Sequence, residues 1–317
     1  MVSKELEQQF KKLRVKPGKA IRLKDYATGY NGKTLNKQQA EALLESGQRQ
    51  LAEIQDKLYV HDQYSVLIIL QAMDAAGKDS TIKHILSGLN PTGVNVHSFK
   101  TPTSQELDHD YLWRHTLAMP PRGEIGIHNR SHYENVLVTR VHPEYILNEH
   151  LPGIASVRDI DKKFWETRFK QINRYEKNLH QNGTIILKFF LHLSKEEQKK
   201  RFLERIDDPT KNWKFSIGDL GERNHWDEYQ QYYEEAISAT SQQHAPWFII
   251  PADDKWYTRL AIASVIYQQF ETLHIDYPAP GSSQKEDLEK AKSMLLNETG
   301  TEKKKGKKSK KATSKKV

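Results

Sequence analysis

In Leu67-Ile68-Ile69-Leu70-Gln71-Ala72-Met73-Asp74-Ala75-Ala76-Gly77-Lys78-Asp79-Ser80-Thr81, an apolar strand runs into a Gly-Lys pair and then into a helix. A turn of this kind lets backbone N–H groups and a helix N-terminus face an anion, while Lys78 reaches bridging and terminal phosphate oxygens. The match to G-x-x-x-x-G-K-[ST] is incomplete, because Ala72 stands at the first Gly and Asp79 at the metal-binding hydroxyl, with Ser80 and Thr81 one and two positions late. Asp74 and Asp79 flank the lysine and would repel phosphate unless a divalent cation sat between them, so the expected site is metal-bridged. An ordinary strand-to-helix turn is the plain alternative.

Outward from this loop, short apolar β-rich runs at 66–72, 94–99, 124–128, 184–193 and 247–251 alternate with helical patterns at 78–86, 104–115, 162–181, 195–206, 222–239 and 256–273. Such alternation predicts an α/β fold with a parallel sheet and helices on both faces. Ahead of it, residues 1–60 form an N-terminal helical arm, where a helix over 37–58 places Ala40, Leu43, Leu44, Leu51, Ile54 and Leu58 near one face. Residues 61–275 make the main domain, with a lid at about 205–225. Residues 276–302 form a linker, beginning Tyr277-Pro278-Ala279-Pro280-Gly281, and a short helix over 285–296.

The 49 Lys and Arg exceed the 41 Asp and Glu, giving +8, yet nine lysines and no acid lie in residues 303–317, which leaves −1 for the rest. The tail is expected to be disordered and able to hold any polyanion by counterion release, so a nucleic-acid-binding protein is a rival class. A mean hydropathy of −0.79 and apolar runs far below the ~20 residues needed to cross a bilayer rule out a membrane-spanning helix. No signal peptide is expected from the polar stretch Ser3–Lys12 after Met1, and the absence of cysteine excludes disulfides and thiolate sites; the expected compartment is the cytoplasm.

Two further elements support phosphate chemistry. Asn129-Arg130-Ser131 follows the strand at 124–128, at the carboxyl end where open α/β sheets collect ligands, and the Arg130 guanidinium offers forked donors to a transferring phosphoryl group. In the helix at 195–206, Arg201 and Arg205 emerge on one face. Arg205 lies just before Asp207-Asp208-Pro209, where a lid can close basic side chains over phosphates.

With these elements aligned, the chain resembles the polyphosphate kinase family of the second type. The matching residues are Met73–Ser80, Gly88-Leu89-Asn90-Pro91-Thr92-Gly93, Phe99-Lys100-Thr101-Pro102-Thr103, Asn129-Arg130-Ser131-His132-Tyr133-Glu134-Asn135-Val136-Leu137-Val138, Asp207-Asp208-Pro209-Thr210-Lys211-Asn212-Trp213-Lys214-Phe215 and Ala245-Pro246-Trp247-Phe248-Ile249-Ile250-Pro251-Ala252-Asp253. The resemblance implies a thymidylate-kinase-like P-loop fold with a Walker A loop and a helical lid. It further implies transfer between inorganic polyphosphate and adenine nucleotides (AMP to ADP, ADP to ATP), with guanine nucleotides as further acceptors, Mg2+ with Mn2+ as the alternative, and a homo-oligomer.

By the same resemblance Asp74, Lys78, Arg130 and Arg205 are catalytic, Asp74 and Asp219 hold the metal, and Asn129 marks the subgroup that accepts both AMP and ADP. Ala75, Ala76, Gly77, Asp79, Ser80 and Arg201 are candidate phosphate contacts, and Lys83, Lys100, Lys211 and Lys214 would line a groove for the polyanion. No membrane partner is expected, and nucleic acid is incidental to the tail. An ATP-dependent nucleoside or nucleotide kinase of the same fold is the alternative.

Overall fold

The computed structural model describes residues 4–32 and 34–308. Strands β1 (Ser65–Ala72), β2 (Val94–Ser98), β3 (Ile125–Asn129), β4 (Thr184–His192) and β5 (Trp247–Pro251) form one sheet in the order β2-β3-β1-β4-β5, every pair parallel. Its helices include α1 (Lys4–Lys12), α2 (Lys37–His61), α3 (Lys78–Ile85), α4 (Lys162–Gln181), α5 (Lys195–Asp207), α6 (Ile217–Asn224), α7 (Trp226–Thr240) and α8 (Lys255–Glu271).

The two-residue period of the strands sorts their side chains into two layers. Val66, Ile68 and Leu70 of β1, with Phe189 and Leu191 of β4, join a core that also holds Phe10, Leu51, Leu58 and Ile262. Leu67 and Ile69, with Phe190, Trp247 and Ile249, face the other core, with Ile172, Tyr233 and Ile237. The central strand is buried along its whole length, as a parallel strand covered on both faces must be. Of the N-terminal arm, Leu6, Phe10, Leu51 and Leu58 join the first layer and Val15, Ile21 and Leu23 the second, in the same compact unit as the sheet. A reciprocal capping box between Asn36 and Gln39 starts α2.

Nothing in the sequence signals how the arm treats the sheet edge. Val15 N donates to Trp247 O at 2.9 Å and Ile249 N to Leu13 O at 2.9 Å, so the segment at 13–15 lies antiparallel along β5 and occupies its outer edge.

Three helix expectations are corrected. Residues 104–115 split into short helices Ser104–Leu107 and Trp113–Leu117, because the Asp110 carboxylate accepts from Leu112 N and offers the backbone a turn in place of a helix. The helix expected over 222–239 starts at Trp226, after the separate α6. The one expected over 285–296 is α9 (Ser282–Lys308) in a second unit, Tyr277–Val317. Its Glu, Lys, Ala, Met and Leu residues are strong helix formers and carry it into the lysine stretch. Of the tail expected to be disordered over 303–317, residues 303–308 instead continue α9, and 309–317 lie outside the described residues.

A buried polar cluster ties β4 to its neighbours. The fully buried Lys188 Nζ donates to Glu176 Oε2 at 2.6 Å, Tyr133 Oη at 2.8 Å and Thr240 O at 2.8 Å, using all three protons. Glu176 Oε1 accepts from Tyr133 Oη at 2.8 Å and lies 3.3 Å from His132 Nε2. Burial works against the Glu176 charge, but Lys188 and His132 outweigh it and hold its pKa below the usual carboxylate range. Lys188→Met should therefore cost about 3–5 kcal/mol in urea unfolding, since it strands a buried carboxylate, and adding Glu176→Leu should recover much of that loss.

Candidate active site

Parallel strands deliver their carboxyl ends to one edge, and the candidate residues follow those ends. After β1 the chain turns through Ala75 (φ 62°) and Gly77 (φ 100°) into α3, with Gly77 as its N-cap. Glycine meets the left-handed requirement at 77 at no cost, whereas Ala75 carries the strain of a Cβ there. Ala72, in place of the first glycine of the motif, is still in the strand and needs no such freedom. The Lys78 ammonium folds back to donate to Ala72 O at 3.0 Å. Its pKa is lowered by burial and by the Arg130 charge, against the pull of Asp74, Glu134 and Asp79.

After β3, Arg130 also sits at a positive φ of 65°, its N–H bonded to Leu70 O at 3.1 Å. Behind it, Ser131 Oγ accepts from the buried Gln71 Nε2 of β1 at 3.1 Å. The guanidinium reaches Asp74 Oδ1 at 3.2 Å and Glu134 Oε2 at 3.5 Å. Arg130 and Asp74 keep 43% and 28% of their side-chain surface exposed, so the pair is worth about 0–1 kcal/mol and a phosphate oxygen can displace the carboxylate at small cost. Asn129 Nδ2 donates to Asp79 Oδ1 at 2.7 Å and Ser98 Oγ at 3.3 Å, leaving Oδ1 buried with no protein partner.

The expected lid is built from the end of α5, a 3-10 turn at Asn212–Lys214 and α6. Asn212 Nδ2 caps α5 by donating to Arg205 O and Ile206 O. Arg205 lies 3.8 Å from Asp219 Oδ2. Partial burial and the nearby Asp74 charge raise the Asp219 pKa, with Arg205 opposing. Asp74 and Asp219 therefore line one cavity and repel each other, a strain that a divalent cation relieves. Among the described residues no group of three or more His, Cys, Asp or Glu could hold a metal by itself. Two carboxylates completed by substrate oxygens and water fit magnesium, which seldom has an all-protein cage.

These elements enclose an open cavity of about 860 Å3 lined by eight Lys or Arg and four Asp or Glu, a balance that suits a polyanion. It brings together Asp74 to Ser80, Lys100, Asn129, Arg130, Arg205, Lys211, Lys214 and Asp219. Lys83 is not among them; it lies exposed in the last turn of α3. Arg201 lines the cavity, but its donors are committed to protein oxygens. Lys211 pairs with Asp208 at 2.6 Å, at the surface. Sequence reasoning missed Lys255, which joins the cavity from the residues after β5, and Glu134 beside Arg130. The same strand-end rule that found Arg130 would have pointed to Lys255.

Residues 34–278 match the family described as Polyphosphate kinase 2 (PPK2). The chain is 46% identical over 286 residues to the ADP-polyphosphate phosphotransferase of Rhodopseudomonas palustris, spanning 90% of this chain and 98% of that one. It is 44% identical over 274 residues to the AMP/ADP-polyphosphate phosphotransferase of Meiothermus ruber, spanning 85% and 96%. Its fold is similar to the crystal structure of polyphosphate kinase 2 from Arthrobacter aurescens TC1, with a TM-score of 0.78 and 37% identity over 87% of this chain and 94% of that one.

The lowered Lys78 pKa has a measurable sign. Phosphate is attracted to an ammonium and not to a neutral amine, so affinity of this cavity for inorganic tripolyphosphate should fall by about tenfold or more as pH rises through a pKa below the usual lysine range. Lys78→Arg should move that fall to higher pH in a titration by calorimetry.

Proposed function

The chain belongs to the polyphosphate kinase 2 family, and from that premise we propose that it transfers phosphoryl groups between inorganic polyphosphate and adenine nucleotides, taking AMP to ADP and ADP to ATP. The observation that carries this reading is the convergence on one cation-rich cavity of Lys78 from the loop after β1, Arg130 from the end of β3 and Arg205 from the last turn of α5. Acceptance of both AMP and ADP is supported by Asn129 and by the name of the Meiothermus ruber relative.

Phosphoryl transfer passes through a loose transition state, so positioning and charge supply the catalysis. An oxygen of the nucleotide's terminal phosphate attacks the terminal phosphorus of the polyphosphate, and the bond to the shortened chain breaks as that chain keeps the electron pair. The attacking oxygen is already ionised at neutral pH, so no general base is needed. Lys78 binds oxygens at the loop, Arg130 leaves Asp74 to meet the phosphoryl group, and Arg205 brings lid charge from the opposite side. Released from Arg130, Asp74 is free to orient the acceptor. Magnesium, with manganese as the alternative, would be held by Asp74 and Asp219 and would neutralise phosphate charge.

Lys100, Lys214 and Lys255 extend the positive surface along which a repeating polyanion can lie. Guanine nucleotides as further acceptors, a homo-oligomeric assembly, a cytoplasmic location and only incidental nucleic-acid binding complete the proposal. They rest on the family resemblance, the lack of cysteine and the near-neutral charge outside the tail.

Purified protein with magnesium, polyphosphate and AMP or ADP, and no ATP, should form ADP and ATP. Lys78→Ala and Arg130→Ala should each lower kcat by about 10²-fold or more with the fold intact by circular dichroism. Phosphorylation of a nucleoside by ATP, with no product from polyphosphate, would instead identify the ATP-dependent kinase.

A further inference from the structure

Arg201 is one of the most fully engaged side chains near the cavity. Only 4% of its side chain is exposed. A guanidinium has five N–H donors, and here each meets an oxygen. Nε donates to Glu197 Oε1 at 2.9 Å, Nη1 to Ala75 O at 3.1 Å and Ala76 O at 2.9 Å, and Nη2 to Ala252 O at 2.8 Å and Asp253 O at 2.9 Å. Four of these acceptors are backbone carbonyls, from the loops after β1 and β5. One turn earlier on α5, Gln198 Nε2 donates to Asp74 O at 2.9 Å, and its own Oε1 accepts from Arg223 Nη1 of α6 at 2.7 Å.

Carbonyls 74, 75 and 76 are thus drawn in succession toward α5. In a trans peptide the C=O and the following N–H point opposite ways, so the N–H groups of Ala75 and Gly77 turn away from that helix. Arg201 also reaches the backbone at the helix start: a Cβ on Gly77 would be in ordinary van der Waals contact with its Nη1, at 3.8 Å. Positions 198, 201 and 205 follow three- and four-residue steps on one helix face, so the face that grips the loop also presents Arg205 to the lid.

We propose that Arg201, assisted by Gln198, is a positioning residue that clamps the phosphate loop to α5 and so fixes the register between Lys78 and Arg205. It donates nothing to phosphate itself. Lysine cannot replace it, since a single ammonium with three donors cannot span two loops. The catalytic consequence rests on the phosphotransferase reading of the site, whereas the clamp itself does not.

The test compares wild type with Arg201→Lys by hydrogen–deuterium exchange, thermal melting and steady-state kinetics with polyphosphate and ADP. Residues 74–80 should exchange at least tenfold faster in the variant. Its kcat should fall about 10²-fold while both KM values stay within threefold, and millimolar guanidinium should restore part of the activity of Arg201→Ala. In a Lys78→Ala background, Arg201→Lys should cause little further loss.

A raised KM for polyphosphate with unchanged loop exchange would assign Arg201 to direct phosphate contact and overturn the proposal. A lower melting temperature with unchanged kcat would make its role purely structural and would overturn it equally. If Arg201→Lys does not fold, Gln198→Met, which frees only Asp74 O, should show the same pattern at smaller amplitude. Wild type that is inactive on polyphosphate but shows the exchange difference would refute the activity and leave the clamp.

Discussion

All five strands run the same way, and the site depends on that constraint. Parallel pairing forces each connection to cross from one end of the sheet to the other, so the segments after β1, β3, β4 and β5 meet at a single edge. The phosphate loop, Arg130, helix α5 and the Ala252–Lys255 turn are those four segments. None lies near another in sequence, and each would be an unremarkable turn by itself. Packing on both faces fixes the strand register, and with it the spacing of the charges the strands carry.

Around that edge the backbone is held in unfavourable conformations. Ala75 and Arg130 both lie in the left-handed region, where a non-glycine residue costs of order 1–3 kcal/mol. The surrounding hydrogen bonds explain why both persist. Ala75 O is held by Arg201, and Arg130 N by Leu70 O, next to the Gln71–Ser131 bond. Further back, the Lys188–Glu176–Tyr133–His132 cluster secures the chain that continues from Arg130. Cation-rich surface alone would attract a polyanion; these supports give it a fixed geometry.

Much of this was legible in the sequence. The apolar runs that became the five strands, the Gly-Lys turn and the Asn-Arg-Ser after β3 carry strong local signals, because strand burial and phosphate binding restrict residue type at short range. What stayed hidden was the use of polar side chains over long range. Arg201 and Arg205 look alike in a helical charge run, yet one is consumed by backbone carbonyls at 75 and 76, far upstream, and at 252 and 253, downstream, while the other turns toward Asp219. Lys188 interrupts an apolar strand without any local clue to Glu176. Lys83 is attractive by its closeness to Lys78 in sequence, but helix geometry turns it elsewhere. The break at 108–112 depends on one Asp110 hydrogen bond, a detail that helical periodicity does not register.

The pairing of residues 13–15 with β5 ties the order of synthesis to the completion of the site. β5 is the last strand to leave the ribosome, roughly 10 to 50 s after its N-terminal partner at synthesis rates of about 5–20 residues per second. Until then the β5 edge that residues 13–15 pair with is missing, and the turn carrying Ala252 and Asp253 does not yet exist. A nascent chain stopped short of β5 can hold its phosphate loop by only one side of the Arg201 fork. The loop after β1 therefore gains the second half of its Arg201 support in the same late event that covers the sheet edge.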